Sequence, residues 1–369
     1  MNLESNNAAY SGWTRLHLDG PLLALLALLT AIGLFTVYSA TGQDINMVIA
    51  QAKRIALGLV ALIVVAQCPP EWFRTLTPWA YLAGTIMLIA VLVLGDTSKG
   101  AQRWLDLGFV RFQPSELMKF AVPLMVATFL HERRLPPRLF AIATSAAIIA
   151  VPTVLIAQQP DLGTALLVVS AGGFALYFAA LRWRLILGAI ALAGAAAPLL
   201  WHNMHDYQRR RVMTLLDPAS DPTGAGYHII QSKIAIGSGG WDGKGWLMGT
   251  QARLDFLPEA NTDFIFAVFA EEFGLIGVLG LLTVYLLIIA RGLYIATRAQ
   301  DTFSRLVVGS LSLTFFIYLF VNIGMVIGLL PVVGVPLPLV SYGGTSMVSL
   351  LASFGLIMSI HTHRKLLSS

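Results

Sequence analysis

Residues 18–40 read LDGPLLALLALLTAIGLFTVYSA, an apolar run entered through Asp19-Gly20-Pro21 and left through Thr41-Gly42-Gln43. Between Leu22 and Ala40 its only polar groups are the hydroxyls of Thr30, Thr36, Tyr38 and Ser39. The run outlasts the apolar core of a secretory signal, about 7–15 residues. It also reaches the roughly 20 residues that a helix needs to cross hydrocarbon. More runs of the same kind follow, near 48–67, 77–95, 114–130, 139–157, 163–181, 184–204, 263–290, 305–326 and 343–361. None shows the polar/apolar alternation of a barrel strand, and an open sheet edge does not survive in lipid. The expected fold is therefore an all-α polytopic membrane protein of about ten helices. It forms a single domain over 1–369, with a large loop at 205–262 between spans seven and eight. Only the turn Gln158-Gln159-Pro160-Asp161 separates the fifth run from the sixth.

Composition agrees. Of 369 residues, 57% are hydrophobic and 12% charged, where a soluble domain carries about 25% charged. Mean hydropathy is +0.75. These values exclude a soluble enzyme, a disordered chain and a secreted disulfide scaffold. The lone Cys68 excludes an intrachain disulfide or a CxxC site. The net charge of +5 is spread between apolar runs rather than gathered on one face, so no nucleic-acid partner is expected. The N-terminus and alternate short connections carry twelve Lys and Arg, from Arg15 to Lys365. The opposite side carries five, Lys53, Arg54, Lys99, Arg103 and Arg111. The positive-inside rule then puts both termini in the cytoplasm and the 205–262 loop outside.

Three groupings bear on chemistry. Arg209, Arg210, Arg211, Lys233, Lys244 and Arg253 join Lys99, Arg103 and Arg111 on the outer side. Such a basic cleft suits an anion such as a lipid pyrophosphate, although cations at headgroup level also arise simply beside lipid phosphates. In Pro114-Ser-Glu-Leu-Met-Lys119, helical rotation puts Glu116 and Lys119 roughly 60° apart on one face, close enough to pair. Ionisable groups inside a span point to function, while a pair at the interface also serves to orient a helix. In Leu257-Pro-Glu-Ala-Asn-Thr-Asp-Phe-Ile-Phe266, Thr262 or Asn261 is expected to cap a helix with Asp263 in its first turn. A carboxylate against aromatics suits a general base; an acid in a first turn also complements the helix dipole. Glu271 and Glu272 lie deeper in the same apolar run and need partners.

Other patterns fail. Ser238 and Gly245 break the P-loop spacing around Gly243-Lys244. His202, His205 and Asp206 are read as an interfacial cluster, His361 and His363 as a helix end, and Gly324 and Gly328 as a packing motif.

Six blocks in order resemble the SEDS family (shape, elongation, division and sporulation). They are Lys99-Gly-Ala-Gln-Arg-Trp-Leu-Asp106, Phe112-Gln-Pro-Ser-Glu-Leu-Met-Lys119, Gln159-Pro-Asp-Leu-Gly-Thr164, Gly226-Tyr-His-Ile-Ile-Gln-Ser-Lys233, Thr262-Asp-Phe-Ile-Phe266 and Pro336-Leu-Pro-Leu-Val-Ser-Tyr-Gly-Gly344. The resemblance spans about residues 15–365. It implies ten spans, cytoplasmic termini and a large outer loop. It also implies a peptidoglycan glycosyltransferase of the bacterial inner membrane that polymerises lipid II into β-1,4-linked glycan during cell elongation. The implied partner is a class B penicillin-binding protein, the transpeptidase that crosslinks the product. Asp263 occupies the family's catalytic position, and Arg103, Trp104, Glu116 and Lys119 occupy positions tied to activity or the substrate groove. Arg209, Arg210, Lys233 and Lys244 are further candidates for substrate binding. Dependence on a divalent cation, Mg2+ or Mn2+, is implied as well, though no ligand set with metal spacing is visible. The competing readings are a lipid II flippase and a non-catalytic scaffold for the transpeptidase.

Overall fold

The computed structural model describes residues 16–98, 101–106, 111–204, 206–222, 224–254, 256–257 and 259–363. Arg15, Lys99, His205, Pro258, Arg364 and Lys365 lie outside the described residues. The long helices are α1 (Gly20–Ala40), α2 (Ile45–Gln67), α3 (Pro70–Leu94), α4 (Pro114–His131), α5 (Leu139–Gln158), α6 (Leu162–Phe178) and α7 (Trp183–Asn203). The large loop then carries α8 (Asp206–Leu216), a 3-10 turn at Pro218–Ser220, α9 (Ala225–Gly239) and the short α10 (Thr250–Arg253). Three long helices complete the chain: α11 (Ile265–Thr297), α12 (Thr302–Val326) and α13 (Thr345–Thr362). Among the described residues, seven helices are apolar and long enough to cross a membrane; α6 has 17 residues and falls just short. The chain is a multi-pass membrane protein.

Local chemistry sets the helix starts. Asp19, Asp44, Asp161 and Asp301 stand at N-caps, each accepting a backbone N–H from the first turn (Leu22, Asn46, Thr164 and Ser304). Within spans, Thr30, Thr36, Thr85, Thr153 and Thr314 return their hydroxyls to the carbonyl four residues earlier, so these donors are satisfied inside their own helices. Large apolar side chains such as Phe35, Val60, Trp79, Val93 and Phe320 stay exposed. That is the surface a bilayer solvates.

α12 is the buried centre, packed against α4, α6 and α11, while α2 packs along α13. Asp19 at the head of α1 binds Arg291 of α11 through two hydrogen bonds of 3.1 and 2.6 Å and lies 3.4 Å from His361 of α13. None of the described side chains of α7 is buried, so this helix stands off from the rest.

Two features go beyond the sequence reading. Residues 96–112 contain a small antiparallel sheet, β1 (Asp96–Ser98), β2 (Ala101–Asp106) and β3 (Arg111–Phe112), in the order β1-β2-β3. And α11 is broken at Gly274 (φ 60°, ψ −164°). The loop after α9 docks into the break: Lys244 and Gly245 donate their N–H to the carbonyls of Glu271 and Glu272, and Leu275 and Ile276 donate to Gly240 and Trp241. A Cβ at Gly274 would lie 2.3 Å from the Gly243 nitrogen, in a backbone region reserved for glycine. Gly274→Ala is therefore expected to cost at least about 1–3 kcal/mol, read as a lower melting temperature in detergent. An unchanged melt would show that the loop does not hold the break.

Candidate active site

Asp263 lies in the turn that precedes α11, not in its first turn. The helix begins at Ile265 with Phe264 as N-cap and no side-chain cap. Thr262 does not cap it: its hydroxyl bonds Glu259 Oε2 at 2.9 Å, and the N–H groups of Thr262 and Phe264 both turn back to the Glu259 carbonyl. Phe264 is buried, with the His228 ring stacked on it at 5.4 Å.

The backbone of this turn is clamped from two sides. Asn322 of α12 donates from Nδ2 to the Asp263 carbonyl and to that of Val335, both at 2.8 Å. Ser341 donates its hydroxyl to the Thr262 carbonyl at 2.5 Å and accepts the N–H of Leu337 at 2.8 Å. The Tyr342 N–H donates to the Asn261 carbonyl at 2.8 Å. Gln51 of α2 then fixes the loop, donating to the Ser341 carbonyl at 3.0 Å and accepting the Gly343 N–H at 3.3 Å. The Asp263 carboxylate itself is half-buried and faces Gly334 (φ 75°), where a Cβ would lie 3.5 Å from Oδ2.

The same loop, Pro336–Thr345, heads a groove of about 580 Å³. Arg54, Glu116, Gly344, Thr345 and Ser349 line it, along with apolar side chains such as Leu57, Phe120 and Leu356. Glu116 and Lys119 form a buried ion pair at 2.6 Å. Glu116 also accepts from Ser349 at 2.8 Å, and Lys119 lies 5.1 Å from the centre of the Tyr318 ring. Tyr318 sits one helical turn from Asn322, so α12 connects this pair to the Asp263 turn.

Arg103 on β2 donates to the Pro160 carbonyl at 2.6 Å, and its Nε lies 3.9 Å from Asp161. Asp161 accepts from Gln113, just before α4, and caps α6. Trp104, half-buried, pairs with Asp96 across the sheet. The remaining candidates make other contacts or lie at the surface. Lys244 is bound to Glu271 at 2.6 Å, and Thr250 and Gln251 donate to the same carboxylate. Arg209 donates to the carbonyls of Trp201 and His202 at the end of α7. Arg210 is exposed, and Lys233 is exposed beside Gly328. Gln51, Tyr318, Asn322, Ser341 and Ser349 were not singled out from sequence. Their one signal was polarity inside apolar helices and the Pro336–Gly344 block.

Among the described residues, no three His, Cys, Asp or Glu side chains converge in a metal-holding group. The described residues therefore offer no all-protein cage for a divalent ion.

A family model described as a cell cycle protein, covering FtsW, RodA and SpoVE, matches residues 20–366. The chain is 58% identical over 357 residues to the peptidoglycan glycosyltransferase MrdB of Escherichia coli K12, covering 96% of each. It is 37% identical to MrdB of Helicobacter pylori 26695, covering 85% of this chain and 83% of that one. Among solved structures, a chain of a peptidoglycan synthase complex that coordinates polymerization and crosslinking superposes with a TM-score of 0.83 at 32% identity, covering 94% and 99%. The rod shape determining protein RodA of Thermus thermophilus superposes with a TM-score of 0.72 at 29% identity, covering 94% and 98%.

Proposed function

The chain belongs to the FtsW, RodA and SpoVE family of cell cycle proteins and is a peptidoglycan glycosyltransferase, and we propose that Asp263 is the base of its polymerisation step. One observation carries this reading: the loop that clamps the Asp263 turn also heads the groove running down between α2, α4 and α13. A lipid-linked sugar whose tail occupies that groove would have its head by the loop that clamps the Asp263 turn.

Asp263 accepts the proton of the acceptor GlcNAc 4-hydroxyl as that oxygen attacks the anomeric carbon of the donor MurNAc. The bond from that carbon to the lipid pyrophosphate breaks, and the pyrophosphate leaves with the electron pair. One in-line displacement inverts the centre, converting an α-linked donor into a β-1,4 glycan. The clamp acts on the backbone carbonyls of Asn261, Thr262 and Asp263, so it positions the carboxylate through the main chain. A divalent cation, Mg2+ or Mn2+, belongs to the proposal. Such ions are held by one or two carboxylates plus substrate phosphates, so a single carboxylate of this chain suffices, and the ion would offset the leaving group's charge.

The partner proposed is a class B penicillin-binding protein, in keeping with the synthase complex that the fold matches. The membrane proposed is the bacterial inner membrane, with termini in the cytoplasm and the Asp263 turn on the opposite face, following the Lys and Arg bias. A flippase reading draws on the break in α11 beside Glu271 and Glu272. Glu271 is held by Lys244, however, and Oε1 of Glu272 by Ser39 and the Leu247 N–H, while Oε2 of Glu272 is buried with no hydrogen-bond partner. Their work is to hold the loop.

The test is the full chain with its cognate penicillin-binding protein and labelled lipid II. Glycan ladders are expected with Mg2+ or Mn2+ and none after chelation. Transbilayer movement of lipid II without ladders would favour the flippase.

A further inference from the structure

Arg54 lies nine residues into α2, on the face shared with Gln51 three residues earlier. Its guanidinium carbon lies 4.2 Å from the centre of the Tyr342 ring, and it lines the groove beside Gly344 and Thr345. Nη1 is buried and has no hydrogen-bond partner. The carboxylate that shares the groove, Glu116, is already taken by Lys119 and Ser349. Among the described residues Arg54 forms no ion pair. A guanidinium in the apolar depth of a span is costly, and an anion is its natural complement.

We propose that Arg54 binds the phosphate head of a polyprenyl phosphate whose chain lies in the groove; this rests on the reading that the groove takes the lipid-linked substrate. The Tyr342 ring lies against the guanidinium, and a guanidinium offers paired N–H bonds to phosphate oxygens. The walls below are apolar, from Leu57 and Leu117 down to Leu124 and Leu356, and suit a hydrocarbon chain. Tyr342 also bonds the Asn261 carbonyl, so a phosphate at Arg54 lies next to the loop that clamps the Asp263 turn. Arg54 would then hold the donor, and the departing lipid pyrophosphate, by the charged end.

The test measures equilibrium binding of a long-chain polyprenyl monophosphate to the full chain in detergent, with phosphatidylglycerol and inorganic pyrophosphate as competitors. Arg54→Gln is expected to weaken binding about 10- to 100-fold, the loss of a charged hydrogen-bonded contact, and Arg54→Lys by less. Leu117→Trp, which narrows the groove and keeps Arg54, is expected to weaken it too. Neither competitor is expected to displace the probe at equal concentration. Unchanged affinity in Arg54→Gln, with its melting temperature intact, would overturn the proposal, as would unchanged affinity in both Arg54→Lys and Leu117→Trp. Arg54-dependent displacement by phosphatidylglycerol would overturn the polyprenyl assignment. The binding readout needs no turnover, so a failure of the polymerase reading shows separately, as wild-type complex that binds the probe but makes no glycan.

Discussion

Lys119→Met is expected to destabilise the chain by about 3–5 kcal/mol, because it leaves Glu116 charged and buried with only the Ser349 hydroxyl for company. The side chains of Lys119 and Glu116 are 6% and 10% exposed, so water cannot take over the lost partner. Glu116→Gln alone is expected to be harmful in the same way, stranding the ammonium over the Tyr318 ring. The combination of Lys119→Met with Glu116→Gln removes both charges and is expected to melt above Lys119→Met alone, since a neutral replacement of a buried pair is often tolerated. Activity is expected to fall in all three, because the pair braces α4 against α12 and α13 at the groove. If the double variant melted as far below wild type as the two single losses summed, the two groups would not be acting as a pair.

Asp263→Asn is expected to lower the rate of glycan polymerisation about 10²–10⁴-fold, the usual worth of a positioned general base. The substitution is nearly isosteric. The clamp on this turn holds the main-chain carbonyls of Asn261, Thr262 and Asp263, through Tyr342, Ser341 and Asn322, and the substitution leaves these carbonyls in place. The fold and the melting temperature should therefore be kept while the proton acceptor is lost. The loss should fall on kcat with KM little changed, because a base contributes in the transition state rather than in ground-state binding. Asp263→Glu keeps the base but displaces it, and it is expected to lie between the two.

The helices were readable because the bilayer demands long apolar runs, and those runs are the helices. Their ends were less readable. The run at 263–290 gave no sign of the break at Gly274, since Glu271 and Glu272 sit in an otherwise unbroken apolar pattern and their partners, Lys244 and Ser39, are distant in sequence. The sheet at 96–112 escaped because its strands have three, six and two residues, too short for an alternation to show. Asn261 and Thr262 look like caps, but Glu259 bonds the Thr262 hydroxyl and shifts the helix start to Ile265.

At the site, the Glu116–Lys119 pair followed from helical geometry, and Asp263 stood out through the family motif. The clamp could not be read, since Gln51 and Ser341 meet across 290 residues and Asn322 reaches Asp263 across 59. Counting basic residues could not separate free cations from occupied ones. Lys244 and Arg209 are spent on Glu271 and on the end of α7, whereas Arg54, which entered only as a topology charge, lines the groove and forms no ion pair among the described residues.

The most direct test of the account compares wild type with Asp263→Asn, each purified as a complex with the cognate penicillin-binding protein and supplied with labelled lipid II and Mg2+, by glycan-chain length on a gel. Long ladders from wild type and none from an equally well assembled, equally stable variant are predicted. Ladders of equal length and rate from both would contradict the account, and the base would have to be sought elsewhere.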